Sequence, residues 1–157
     1  MEFTVPSIVA LRIAGLDRAK FNNMVNSGFY PCTPATSKGA DRMFSVHDVI
    51  SLVTLSRMLD LGVLPRHAGP FACFGLDGAE LWPDVFRVTI TRYADGTHTE
   101  IVNGKPTGQG DGAGVRIVLE VAEIRGYVLG EIAKISREHM EQLNEVSQIV
   151  ARGDALE

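Results

Sequence analysis

A short segment near the N-terminus groups the side chains best suited to recognition chemistry. Arg18, Lys20, Asn22 and Asn23 fall within six residues, on what their spacing predicts to be one helix. An asparagine amide can both donate to and accept from an adenine edge, whereas arginine and lysine reach guanine or phosphate oxygens. This combination indicates binding to a nucleic acid, with a solvated polar helix face as the simpler alternative.

Two short helices are predicted to position these residues. The mostly apolar segment 7–14 is followed by Gly15, where a helix would stop. Asp17 then offers an N-cap oxygen to a second helix, which Gly28 ends. The apolar residues of this second helix share one face, so the pattern is that of a helix-turn-helix.

An exposed loop and a third helix are predicted to follow. Residues 30–41 are rich in Pro, Gly and hydroxyl residues, and 42–44 could pair as the returning edge of this loop. Ser45 and Asp48 have the spacing of a capping box, and a broadly apolar helix follows them. Residues 61–65 end that helix and begin another short one. The stretch 69–83 is compatible with a packed connector or a fraying helix.

The second half predicts a β-hairpin and a long helix. Apolar and polar residues alternate over 86–91, Ala94-Asp95-Gly96 is typical of a hairpin turn, and 97–102 supplies the return strand. Residues 115–119 fit either a third strand or the start of a helix. From Val121 onward, apolar residues recur at steps of three and four, which predicts a long C-terminal helix with a polar interval around His139.

Charge is divided unevenly along the chain. The whole sequence carries a formal charge of −4, but residues 1–70 hold seven Lys/Arg and five Asp/Glu, a balance of +2 that leaves −6 on the remainder. This asymmetry is compatible with a DNA-contacting head on an acidic body.

The sequence shows none of the usual patterns for a metal, cofactor or membrane. Cys32 and Cys73 form no CxxC motif and have no histidine at ligand spacing, so neither a disulfide nor a zinc site is predicted, and buried thiols are expected. The glycine-rich stretch 104–114 lacks both phosphate-binding motifs and is interpreted as a solvated loop, so no cofactor is expected. Without a secretion signal or an apolar run of membrane-spanning length, a cytoplasmic protein that does not contact membranes is expected.

Residues 8–72 resemble the DNA-binding head of the MerR family. The most specific part is Arg42-Met43-Phe44-Ser45-Val46-His47-Asp48-Val49 followed by Leu59-Asp60-Leu61-Gly62, where that family has Arg-x-Tyr-Ser/Thr-x-x-Asp-Leu and later Leu-Gly. The second helix differs, because Asn22-Asn23-Met24 stands where the family commonly has Arg-Tyr-Tyr. An altered base preference is therefore expected.

The resemblance implies an α+β fold in two parts and a regulatory function. Residues 1–75 would form a winged helix-turn-helix head, and 84–157 a β-hairpin plus C-terminal helix for oligomerisation or effector binding. The second helix would enter the major groove of double-stranded DNA. The phosphates would be held by Arg12, Ser37, Lys38 and Arg42.

We expect a transcriptional regulator that acts as a homodimer through its C-terminal half, since few cations in the head mean weak binding by a monomer. The effector, if there is one, is left open.

Two other interpretations are compatible with the sequence. The same head would suit a phage-type excisionase or a packaging or recombination factor. A protein-interaction adaptor is a further alternative. Enzymatic activity is not expected, because His98 and Glu100 near Asp95 have no evident nucleophile or metal partner and cross-strand pairing explains them more simply.

Overall fold

A computed structural model describes residues 3–37, 39–77, 86–93, 96–103 and 115–153. The chain is mixed helix and strand, which confirms the predicted α+β class. Its elements in order are β1 Thr4–Pro6, α1 Ser7–Ala14, α2 Arg18–Asn26, β2 Met43–Ser45, α3 Val46–Asp60, α4 Pro65–Asp77, β3 Phe86–Tyr93, β4 Gly96–Asn103, β5 Val115–Glu120 and α5 Val121–Gly153.

Local signals in the sequence correctly located the ends of the first helices. Gly15 follows α1 with a φ of 66°, a conformation that glycine adopts without steric cost. The Asp17 side chain accepts a hydrogen bond of 2.8 Å from the backbone N–H of Lys20, so it caps α2 as predicted. At the start of α3, Ser45 and Asp48 form both hydrogen bonds of a capping box.

The partner of β2 differs from the one expected. β2 does not pair with the outgoing limb of the loop; it pairs antiparallel with β1, Thr4 opposite Ser45 and Pro6 opposite Met43. Strands of three residues are too short to show an alternating pattern, so β1 gave no signal in the sequence. The pair fixes the residue before β2, Arg42, close to the start of α1.

The core of the N-terminal part is built around α3. All eight residues from Val49 to Ser56 are buried in this helix. Phe21 of α2 packs edge-on against Tyr30 and Phe44, with ring centroids 5.6 and 6.2 Å apart. These contacts hold α2 and β2 against the same central helix.

A polar pair lies inside this core. The Tyr30 hydroxyl donates a 2.9 Å hydrogen bond to Ser51 Oγ, which in turn donates one of 2.6 Å to the backbone carbonyl of Ala72 in α4. These two hydrogen bonds connect the segment after α2 with α3 and α4. Burial raises the pKa of the Tyr30 phenol well above its usual value, the charge of Asp48 adds to this, and the hydrogen bond with Ser51 opposes it.

The expectation of two buried thiols is wrong, because Cys32 and Cys73 form a disulfide, with their Cα atoms 5.5 Å apart. Their separation of 41 residues in the sequence gives no information on this proximity, which arises only when α4 packs beside the segment after α2. By restricting the unfolded chain, a bond that closes a loop of this length stabilises the fold by about 3–4 kcal/mol.

α4 approaches the chain between α2 and the disulfide very closely at Gly69. A Cβ atom at this position would overlap the backbone carbonyl oxygen of Phe29. α4 itself runs from Pro65 to Asp77. Residues 69–77 of the stretch that the sequence left undecided between a connector and a helix are therefore helical. The glycine therefore permits the packing that brings Cys73 to Cys32.

The second half adds a sheet and a helix. β3 pairs antiparallel with both β4 and β5, in the order β4-β3-β5, as the predicted hairpin requires. The ambiguous residues 115–119 belong to β5. The first turns of α5 pack on α3 through Val121, Ile124 and Val128, and the Tyr127 hydroxyl donates a 3.0 Å hydrogen bond to the carbonyl of Ile13. Among the helices described, none is long and apolar enough to span a membrane.

We predict that Gly69→Ala lowers the free energy of unfolding by about 1–3 kcal/mol or more, because α4 must shift to relieve the overlap with Phe29. Urea denaturation measures this. Gly130→Ala is the matched control, since a Cβ at this exposed position of α5 meets nothing, and alanine should stabilise the helix by up to about 1 kcal/mol. Equal effects of the two substitutions would contradict the close approach at Gly69.

We predict that Tyr30→Phe reduces stability at neutral pH by about 1 kcal/mol, the net value of a hydrogen bond. The substitution should also reduce the loss of stability that the wild type shows at alkaline pH. Because the folded state keeps the Tyr30 proton while the unfolded chain loses it above about pH 10, wild-type stability falls as pH rises past that value. Urea denaturation at pH 8 and pH 11 should show that the variant loses less unfolding free energy between the two pH values than the wild type does. An equal loss in the two proteins would refute this explanation.

Candidate functional site

A cleft opens between the N-terminus of α1, the flank of α2 and the loop before β2. Its volume is about 180 Å³, and it is half open to solvent. The polar side chains that line it are Ser7, Arg18, Asn22, Thr36, Asp41 and Arg42. Three of the predicted DNA-binding residues, Arg18, Asn22 and Arg42, thus come together around one concave surface.

The position of two of these residues follows from the helical repeat of α2. Phe21 and Met24 are buried and fix which face of the helix lies on the core. Arg18 and Asn22, four residues apart, lie on one flank beside that face and are both exposed. The flank therefore points an amide and a guanidinium into the cleft from the same side.

Arg42 reaches the cleft from the opposite side, immediately before β2. Its Nε atom is buried and has no hydrogen-bond partner within the part of the chain that the structure describes. A buried donor without an acceptor is energetically costly, so such a group fits a site where an external acceptor binds. A phosphate oxygen is a strong acceptor for a guanidinium.

The start of α1 adds further donors. Its N-cap residue is Pro6, which makes no side-chain hydrogen bond to the first turn, and that turn contains no acidic residue. The first backbone N–H groups of α1 and the Ser7 hydroxyl thus lie at the edge of a cleft that already holds two guanidinium groups. A helix N-terminus carries a partial positive charge, which complements an anion there.

The loop wall of the cleft is closed by its own hydrogen bond. The Thr36 hydroxyl donates to the backbone carbonyl of Ala40 over 2.9 Å, which holds Thr36 close to Ala40. Asp41 adds one carboxylate, which leaves the cleft with a formal charge of +1 from Arg18, Arg42 and Asp41. The site is thus cationic by a small margin and rich in neutral donors.

Four other predicted residues lie outside this cleft. Lys20 and Asn23 are exposed on the outer surface of α2, Arg12 is exposed in the last turn of α1, and Ser37 is exposed in the loop. The predicted Lys38 lies outside the described residues.

Ser7 and Thr36 were not predicted as site residues. The Pro-Ser pair that begins α1 is the one signal that could have identified Ser7, since Pro supplies no capping side chain.

A second cleft, of about 370 Å³, lies between α3, β5 and the start of α5. It is lined by Val53, Leu119, Ile124 and Tyr127 together with Arg57, Glu120 and Glu123. None of the predicted site residues borders it. No group of three or more His, Cys, Asp or Glu that could hold a metal ion occurs among the residues described.

The residues considered for catalysis lie on β4, where His98 is opposite Thr91 and Glu100 opposite Thr89 in the backbone register. Asp95 and the glycine-rich stretch 104–114 lie outside the described residues.

Comparison with known proteins does not identify the site. No family model matches the chain, and no curated protein does so. The cleft between α1, α2 and the loop is accordingly defined by its own side chains and by the elements that hold them.

Proposed function

We propose that the chain is a sequence-specific double-stranded DNA-binding protein that regulates transcription as a homodimer. One observation carries the proposal: the cleft that gathers Arg18, Asn22 and Arg42 beside the exposed outer face of α2. Such a surface offers anion-binding donors next to side chains that can distinguish base edges.

In this proposal residues 1–75 act as a winged helix-turn-helix head. α1 and α2 with the bend at Gly15 form the helix-turn-helix, and the loop before β2, held by the β1–β2 pair, is the wing. α2 lies in the major groove with Lys20 and Asn23 toward the bases, while Arg18 and Asn22 face the cleft. Arg12, Ser37 and Lys38 would contact phosphates on either side.

The cleft then holds one backbone phosphate. Arg42 Nε gains the acceptor that it lacks within the protein, Arg18 adds a second guanidinium, and Ser7 supplies a hydroxyl at the start of α1. A phosphate seated there fixes the depth and the register at which α2 enters the groove.

A second copy of the chain is the expected partner for the distal part of α5. Residues 136–145 are all exposed, and Met140 and Leu143 keep 57% and 50% of their surface accessible. Apolar side chains on a helix of 33 residues, about 50 Å long, are typical of a coiled-coil interface. Dimerisation would double the phosphate contacts of a head that carries a charge of only +2.

The experiment that tests the function is selection of duplex DNA from a randomised library, followed by mapping of the bound sites in the genome at two salt concentrations. Enrichment of a paired motif at promoters supports a regulator, whereas enrichment at attachment or packaging sites supports a recombination or packaging factor. Absence of any enriched motif together with absence of salt-sensitive binding would overturn the proposal.

We predict that Arg42→Ala weakens binding to a mixed-sequence duplex about tenfold and reduces the slope of log affinity against log salt by about 0.9, the loss of one phosphate contact. Fluorescence anisotropy over a salt series measures both quantities. Lys134→Ala removes one positive charge from an exposed position of α5 outside the distal part and should leave the slope unchanged. Equal slopes for wild type and Arg42→Ala would contradict the proposed contact between Arg42 and a phosphate.

We predict that Leu143→Glu, at the exposed apolar stripe of α5, converts the dimer to a monomer, because burying the carboxylate in the interface is unfavourable. Analytical ultracentrifugation at micromolar concentration shows the change. Gln142→Glu, one position away, adds the same charge without removing an apolar side chain and should preserve the dimer. A wild-type chain that sediments as a monomer would contradict this part of the proposal.

A further inference from the structure

The disulfide lies at the base of the loop that forms one wall of the cleft. Cys32 precedes residues 36–42 in the chain, and its bond to Cys73 ties this end of the loop to α4. The other end of the loop enters β2, which the pairing with β1 holds in place. The bond therefore restrains the end of the loop that strand pairing does not.

The two cysteines differ in exposure. Cys73 retains only 3% of its surface, whereas Cys32 is partly buried and keeps part of its surface accessible. We therefore expect an external thiolate or disulfide to approach at Cys32 and not at Cys73. This asymmetry gives one attackable cysteine and one internal partner, which is the arrangement that thiol–disulfide exchange requires.

The surroundings suit both oxidation states. The backbone N–H of Cys32 points at Cys73 Sγ over 3.3 Å, so a thiolate formed at Cys73 would receive a hydrogen bond that stabilises its charge. Ser51 Oγ lies 3.9 Å from Cys32 Sγ and can accept from a thiol there, because its own proton is donated to the carbonyl of Ala72. Neither sulfur would be left without a polar neighbour after reduction.

We propose that Cys32 and Cys73 form a redox-active pair whose substrate is a small-molecule disulfide, and that its oxidation state sets the affinity of the neighbouring cleft for DNA. The second half of this statement rests on the proposed function. In oxidation, the Cys32 thiolate attacks a disulfide RSSR, forming a Cys32–SR bond as one RS⁻ leaves. The Cys73 thiolate then attacks Cys32 Sγ, the protein disulfide forms, and the second RS⁻ leaves. Two protein thiols are oxidised, and RSSR is reduced to two RSH, which take up the two protons.

The effect on the cleft follows from the space that the sulfur atoms need. Bonded sulfur atoms lie about 2 Å apart, but unbonded heavy atoms need about 3.5–4 Å. The packing of Gly69 against Phe29 and the hydrogen bond from Ser51 to the Ala72 carbonyl hold α4 in place, so the separation is taken up at Cys32, where the loop starts. The loop that carries Thr36 and Arg42 then loses a fixed end, and DNA must order it at a cost in affinity.

The chemistry is tested on the full chain without DNA. The protein is equilibrated in buffers of varied ratio of reduced to oxidised glutathione, quenched with acid and alkylated, and the free thiols are counted by mass. Two thiols that appear together within the glutathione range support the pair. A bond that persists in excess reduced glutathione overturns the proposal, as does loss of the folded circular-dichroism spectrum on reduction, since either marks a purely structural disulfide.

The consequence is tested by anisotropy with a mixed-sequence duplex of about 25 base pairs, long enough for two half-sites. Reduction should weaken binding by the wild type about three- to tenfold. The double variant Cys32→Ser/Cys73→Ser should bind like the reduced wild type and ignore the glutathione ratio. An affinity that is the same in both states overturns the coupling. If neither state binds DNA, the proposed function fails and the coupling with it, while the thiol count still decides whether the pair is redox-active.

Discussion

The structure depends on the burial of one helix from nearly every side. An eight-residue run of α3 is inaccessible to solvent, including the hydroxyl residues Ser51 and Thr54. A helix that is buried around its whole circumference requires neighbours in all directions, and here α1, α4, α5 and β2 supply them. The hydroxyls keep their hydrogen bonds inside the core, to Ala72 and Ile50 respectively, so burial leaves no polar group unsatisfied on this helix.

The cleft owes its shape to this central packing. α2 is oriented by Phe21, which rests on the aromatic rings of Tyr30 and Phe44 beside α3. β2 leads directly into α3, and this connection places Arg42 across from the flank of α2. The side chains that line the cleft are therefore held by packed elements on two sides, and the loop supplies the remaining wall. Loops positioned by a rigid scaffold commonly carry binding residues.

Local sequence signals predicted the elements well, and distant pairings were missed. Gly15, Asp17 and the Ser45–Asp48 box each act within four residues, so their effects can be inferred from spacing alone. The pairing of β1 with β2 joins residues about forty positions apart, as does the disulfide. Such contacts are set by the packing of complete helices and leave no periodic trace in the sequence. The same distinction applies to the site: helical spacing identified Arg18 and Asn22, whereas Thr36 joins them only through the path of the loop.

The hydrogen bond between Tyr127 and the carbonyl of Ile13 fixes the rotational setting of α5 relative to the N-terminal helices. Since an α-helix turns by about 100° per residue, every later position of α5 leaves the protein in a direction determined at this one point. The direction in which the distal end of α5 faces is therefore set by the contact at Tyr127. Insertion or deletion of a single residue beyond Ile135, the last residue of α5 that packs against the core, would rotate the distal surface around the helix axis without disturbing the core. Chain length in this helix is therefore under a stricter geometric constraint than the identity of most of its exposed residues.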